Sequence, residues 1–387
     1  MSRLQRLAPY LFTEIDRAKR AAQAAGRDVI DLGIGDPDRP TPAPLLDAMA
    51  EAIRRPEHHR YPANRGSAAL RRAAADWLRR RHGVTVDPDT QVLALIGSKE
   101  GLAHLPLALL EEGDEVLVPD IGYPVYASAT LLAGGVPRYF PLTAARGFLP
   151  DPADLAAAAG ARTRLLFLNY PNNPTGATAA PGFYAAAVAA LRGTGAVVAS
   201  DAAYLEVVPE VPGAGGRPAS LLREADASRE RVVEFHSLSK MFNMTGWRVG
   251  FAAGHPEVIA ALEQVKQNID SGVFSAVQEV AAQALTPAGE ELLRGVMAVY
   301  PSRRRLMAGA LRAAGFEVYE TEATFYVWAR VPRGEDSLGF CRRALDDEAV
   351  VVTPGTGFGS GGEGWFRLSL TAADERLAEA AARFRRL

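Results

Sequence analysis

Cysteine is almost absent from this sequence. Cys341 is the only one among 387 residues, so no internal disulfide can form. It lies in SLGFCRRAL, three residues after Leu338 and four before Leu345. That is helical spacing, and it makes Cys341 a buried core thiol rather than a nucleophile. Histidine is scarce too. The six (His58, His59, His82, His104, His236, His255) show no metal-ligand spacing, so no metal is expected. An excess of either charge is also missing. The 43 lysines and arginines against 45 acids leave a net charge of −2, which gives no reason to expect a nucleic-acid or membrane partner. No apolar run approaches membrane-spanning length. The opening MSRLQRLAPYLFTEIDRAKR mixes charges with apolar residues and lacks the continuous apolar run of a signal peptide, so the cytoplasm is the expected compartment.

What is present is an ordinary globular composition, 48% apolar and 23% charged. The chain is too long for one small core, and a large and a smaller domain are expected. Five short aliphatic runs recur in the middle: Val92–Ile96, Glu115–Pro119, Arg164–Asn169, Ala196–Ser200 and Val232–His236. They do not alternate, which suits strands buried on both faces of a mostly parallel sheet. Alanine- and leucine-rich segments between them are long enough for helices. In ALRRAAADWLRRRHG, Leu70, Ala74, Trp77 and Leu78 form one stripe and the arginines the opposite face. The pattern is α/β. Beyond Thr286–Pro287 it changes to helix, FEVYE, TFYVWAR, a helix around Leu338–Asp346, AVVVTP and WFRLSL, a smaller α+β unit. The expected division is 41–286 for the large domain and 1–40 with 287–387 for the small one. Pro209–Ser220 is rich in glycine and proline and is expected to be a loop.

Each of the five runs is followed at once by a polar group: GSKEG, DIGYPVY, YPNNPTG, DAAY and SLSK. In open α/β sheets ligands bind beyond the carboxyl ends of the strands, so the five groups describe one site. Alone, Ser98 of GSKEG reads as a plain helix cap and Pro-Asn-Asn-Pro as turn chemistry. Together they complement one another. Gly-Ser opening a helix suits a phosphate. Asp201, after a buried strand, needs a cationic partner or a proton, with Tyr204 three residues on. Asn173 offers an amide and Tyr123 a flat ring for stacking. Lys240 sits in SLSKMFNMTGWRVG, where a solvated charge is out of place, and desolvation makes a lysine an amine nucleophile. A nucleophilic lysine, an acid for a ring nitrogen and a phosphate cradle specify pyridoxal 5′-phosphate (PLP), with Ser237, Ser239 and Arg248 completing the phosphate site.

At this point the sequence resembles the fold-type I PLP-dependent enzymes of aminotransferase class I/II. The motifs are YPANRGSAALR, GSKEG, GYPVY, YPNNPTG, DAAY, SLSKMFNMTGWRVG and WFRLSL, from about Asp31 to about Leu370. LIGSKEGLAHLPLALL, EFHSLSKMFNMTGWRVGFAAG and NIDSGVFSAVQE are similar to the LL-diaminopimelate aminotransferases within that family. The resemblance implies roles. Lys240 would carry the cofactor aldehyde and shuttle the proton, and Asp201 would pair with the ring nitrogen. Tyr204 and Asn173 would bond the ring oxygen, and Tyr123 would stack on the ring. Ser98, Lys99 (through its backbone), Ser237, Ser239 and Arg248 would bind the phosphate. Tyr61 would reach the phosphate of a neighbouring subunit, implying a homodimer with shared active sites. Arg367 would take the substrate α-carboxylate, with Gly35, Tyr10 and Asn173 also touching substrate. The implied reaction moves an amino group between an amino acid and 2-oxoglutarate, as in lysine biosynthesis. Aspartate, aromatic and N-succinyl-diaminopimelate aminotransferases and a PLP β-lyase remain alternatives. For the far end of the substrate, Lys99, Glu100, Asn64, Asp270 and Ser271 stand unranked.

Overall fold

The computed structural model describes residues 3–7, 11–208 and 218–387. Tyr10 and most of the expected Pro209–Ser220 loop lie outside the described residues. The strands are, in chain order, β1 (Ile30–Asp31), β2 (Val92–Leu95), β3 (Glu115–Pro119), β4 (Val136–Phe140), β5 (Thr163–Leu168), β6 (Val197–Asp201), β7 (Val232–Ser237), β8 (Gly250–Gly254), β9 (Tyr326–Arg330), β10 (Val350–Val351), β11 (Thr353–Pro354) and β12 (Trp365–Ser369).

Seven of them form one sheet in the order β2-β8-β7-β6-β5-β3-β4. Pairing is parallel from β7 to β4, while β8 runs against both of its neighbours. The α/β class with a mostly parallel sheet is therefore borne out. The packing explains why the strands read as unbroken aliphatic runs. In β5, Leu165 and Phe167 enter a core on one face, and Leu166 and Leu168 enter another on the opposite face. With both faces covered, neither set of alternate residues meets water. Two strands escape the aliphatic signature. The residues of β4, VPRYF, are largely exposed or half-buried, and β8 is GFAAG, small residues that carry little pattern.

The helix Ala68–His82 starts at Ser67, whose Oγ accepts from the Leu70 amide, and ends at Gly83 in the left-handed region. Its apolar stripe is buried as expected. The arginines do not all face solvent, however: Arg81 is buried beside Glu206, with Nη2 2.6 Å from Oε2. A buried acid on a loop of another segment overrode the amphipathic pattern.

The C-terminal third builds a three-stranded antiparallel sheet, β11-β12-β9, and the parallel pair β1-β10. FEVYE, expected as a strand, contributes only a single bridge, Val318 to Ala329. A further core gathers Ile30 and Leu32 with residues of 300–384, and Cys341 is buried in it. Ala203, Tyr204 and Val207, just beyond β6, reach into this second core. Trp328 and Trp365, stacked at 5.7 Å, reach back into the first. A cleft opens where the carboxyl edge of the large sheet meets these small-sheet strands. Among the described residues no helix is long and apolar enough to cross a membrane.

Candidate active site

The cleft has a volume of about 400 Å³. Twelve of the residues singled out from the sequence line it: Gly35, Ser98, Lys99, Tyr123, Asn173, Asp201, Tyr204, Ser237, Ser239, Lys240, Arg248 and Arg367. The strand topology accounts for this. β2, β3, β5, β6 and β7 all point their carboxyl ends to one edge, and Arg248 enters just before the reversed strand β8. Tyr61 does not join them; it is 91% exposed and lies outside the cleft.

Lys240 follows β7 on the one-turn helix Leu238–Met241. Its ammonium donates to the Gly35 carbonyl at 2.9 Å, and no carboxylate lies within ion-pair distance among the described residues. Burial pushes its pKa down to about 8. Asp36 opposes that shift, and the positive Arg367 and Arg248 add to it. Across the cleft Asp201 ends β6. Its Oδ2 accepts from the Tyr126 hydroxyl at 2.7 Å, and its Oδ1 accepts from the Ala203 amide at 3.3 Å. Burial raises its carboxyl to about 6, against the pull of Tyr126, of the Ala203 amide and of His236. An acid that costs so much to ionise gains most from a cation brought to it.

Arg367 comes from the middle of β12 and is buried. Its guanidinium donates to Asn173 Oδ1 at 2.8 Å and to the Gly33 carbonyl at 2.6 Å. Nε has no partner, and no acid neutralises the group among the described residues. Tyr326 and Phe358 lie against it, with ring centroids at 4.1 and 4.7 Å. A buried, uncompensated guanidinium is a receptor for a carboxylate. Tyr326 also bonds Tyr204, hydroxyl to hydroxyl at 2.9 Å. A Cβ on Gly35 would stand 2.0 Å from the Tyr326 hydroxyl oxygen, so this wall closes only over glycine.

The opposite end of the cleft is made of amides, hydroxyls and cations. The helix Ser98–Leu109 begins here, and its first N–H groups have no intrahelical acceptor. Gly97 caps it at φ 75°, and a Cβ there would meet Arg248 Nη2 at 2.4 Å. Arg248 reaches Ser239 Oγ at 3.5 Å and the Thr245 carbonyl at 2.8 Å. Lys99 Nζ stands 5.9 Å from the Tyr123 ring centroid.

Sequence reasoning missed Tyr126, Tyr326 and Phe358. GYPVY carries Tyr123 and Tyr126, three apart, with Tyr126 in the first turn of the helix Val125–Ala133, so Tyr126 had a signal. Tyr326 had none, because a strand pattern does not say which alternate face meets a neighbouring sheet. Of the residues considered for the far end of a substrate, only Lys99 lines the cleft. Glu100 and Asp270 are taken up by Lys266, at 2.9 and 3.1 Å.

Among the described residues, a lysine amine with no carboxylate in ion-pair contact, a buried acid with no cation in ion-pair contact and a guanidinium with no carboxylate in ion-pair contact meet in this one cleft. The family model for aminotransferase class I and II matches residues 27–384, and the chain belongs to that family. It is an enzyme, an aminotransferase. The LL-diaminopimelate aminotransferase of Desulforudis audaxviator is 48% identical over 383 residues, covering 99% of this chain and 96% of that protein. Among solved structures, a probable N-succinyldiaminopimelate aminotransferase from Thermus thermophilus is 40% identical. Its TM-score is 0.88, over 97% of this chain and 99% of the other. A Thermus thermophilus aspartate aminotransferase mutant is 30% identical with a TM-score of 0.92, over 100% and 98%.

Proposed function

We propose that this chain binds pyridoxal 5′-phosphate in the cleft and moves an amino group between LL-diaminopimelate and 2-oxoglutarate. The observation that carries the reading is Lys240, an amine pushed down to about 8 with no carboxylate in ion-pair contact among the described residues, in one cleft with a buried Asp201 and with Arg367, which no described acid pairs. The residues present fit the cofactor. Asp201 suits a protonated ring nitrogen, Tyr204 and Asn173 its ring oxygen, and Tyr123 its flat face. Ser98, the Lys99 backbone, Ser237, Ser239 and Arg248 suit its phosphate. Once bound, the cofactor supplies an aldehyde and a ring that takes up the electrons left at the substrate Cα.

The chain's own residues do the rest. Lys240 in its neutral form removes the Cα proton and carries it onward. Asp201, held by Tyr126, stays anionic opposite a cation and keeps the proton on the ring nitrogen. Arg367 fixes the substrate by its carboxylate, a two-pronged contact that sets the Cα–H direction. Gly35 leaves room beside it, and Tyr10 is assigned to the same substrate site by its sequence position. Lys99 is the cleft residue suited to a distal carboxylate.

We infer a homodimer in which Tyr61 of one subunit completes the phosphate site of the other. Its exposure supports this, as do exposed Ile269 and Phe274 on a segment whose Gly272 turn lies against Pro62 and Ala63. We also propose the division into residues 41–286 and residues 1–40 with 287–387, and a cytoplasmic location. The substrate rests on relatives alike over the whole length, because an aminotransferase fold does not fix its substrate.

The test is a half-reaction. The PLP-loaded protein is mixed separately with LL-diaminopimelate, glutamate, N-succinyl-LL-diaminopimelate, aspartate and an aromatic amino acid, and bleaching of its visible absorbance is timed. Rapid bleaching by the first two alone is expected. Bleaching by the succinylated compound, aspartate or the aromatic instead keeps the site and discards the substrate.

A further inference from the structure

Beneath the amide cradle lies a group of charges that catalysis does not use. Lys266, on the helix Pro256–Ile269, is fully buried. Its ammonium donates to Glu100 Oε2 at 2.9 Å and to Asp270 at 3.1 and 3.2 Å. His104 Nδ1 stands 2.8 Å from the other Glu100 oxygen. Glu100, His104 and Asp270 are close enough together to hold a metal ion, but the lysine ammonium already occupies the cationic place.

Glu100 is in the first turn of the helix whose leading amides face the cleft. Its Oε2 also accepts the Ile96 N–H, at 2.9 Å, just ahead of Gly97 and Ser98. The carboxylate therefore grips the loop from below while its charge is held by Lys266. Asp270, on the far side of Lys266, accepts the Gly272 amide at 2.8 Å in the turn that lies against Pro62 and Ala63. One buried cation thus ties together the cradle loop and the segment that carries Tyr61.

We propose that Glu100, fixed by Lys266, is a positioning residue that holds Ile96–Ser98 in the shape that receives the cofactor phosphate. The proposal rests on the reading of that loop as a phosphate cradle. An orphaned Ile96 amide and a released helix start would turn the Ser98 and Lys99 amides away from the anion.

The experiment titrates the full chain, freed of cofactor, with PLP and with pyridoxal, which lacks the phosphate, following visible absorbance. Glu100→Ala is expected to weaken PLP roughly tenfold, about one hydrogen bond's worth, with pyridoxal changed less than about twofold. Glu100→Gln keeps the size and an acceptor for Ile96. It is expected to recover part of the PLP affinity, and it serves as the test variant if Glu100→Ala does not fold. Equal loss for both ligands would mean a general structural role and overturns the proposal, as does no loss for either. If the unaltered chain binds PLP no tighter than pyridoxal, the cradle reading itself fails, a result distinguishable from either.

Discussion

Lys240 and Lys266 occupy two regions of the same molecule, and the more deeply buried of the two is the one that acids surround. Lys266 is fully enclosed and contacts two carboxylates, while Lys240 is only half-buried and donates to a single carbonyl. The two amines therefore differ in their neighbours as well as in their burial. Around Lys266 the charges of Glu100 and Asp270 stand where water would otherwise solvate the ammonium. A partly buried one with cations nearby and no acid in contact gives the proton up. The Lys240 region leaves its charges uncompensated until ligands arrive, and the Lys266 region is complete in itself.

The same replacement at both positions tests this most sharply. Lys240→Met is expected to abolish the visible absorbance of the PLP-loaded protein and to slow amino transfer by at least about a thousandfold. Its thermal midpoint without cofactor stays level or rises, since an unpaired amine has been removed. Persisting absorbance would take Lys240 out of the chemistry. Lys266→Met strands Glu100 and Asp270 without their cation. Losing one partner of a buried pair costs on the order of 3–5 kcal/mol, which a denaturant titration reads directly. At saturating PLP its turnover should remain within about tenfold of the unaltered enzyme, because the reacting groups are untouched. A variant as stable as the parent would erase the distinction between the two regions.

The sequence disclosed these two lysines unequally. Lys240 stands between an aliphatic strand and Gly-Trp-Arg, where no solvated face is available, and the polar groups after four other strands give it company. Such a site is legible because strand ends are marked in sequence and the parallel topology brings them to one edge. Lys266, in ALEQVKQNID, reads as one more charge on an amphipathic helix. Its partners Glu100 and Asp270 looked like candidates for gripping a substrate. Nothing local says that a helix packs this face inward, since the pairing depends on how distant segments meet. Tyr326 was hidden in the same way: TFYVWAR announces a strand, but only the meeting of two sheets brings its hydroxyl to Tyr204. Strand β8 failed for another reason, since GFAAG has too little side chain to show a pattern.

The finest test concerns the proton. Without cofactor, half of the Lys240 amine is neutral at about pH 8, where an unperturbed lysine reaches that point at 10.5. The initial rate of PLP capture, followed by absorbance, should rise with pH and level off above about 8. Arg367 contributes to the low value, so Arg367→Met should shift the levelling-off upward. A rate still climbing toward 10.5 in the unaltered chain would remove the contrast with an ordinary lysine. Stability carries the same signature with a definite sign. Between about 8 and 10.5 the unfolded chain binds the proton that folded Lys240 has lost, so stability rises with pH across that window. Lys240→Met should lack this increment. Lys266→Met should keep it on a lower baseline, because that change leaves Lys240 and its neighbours in place.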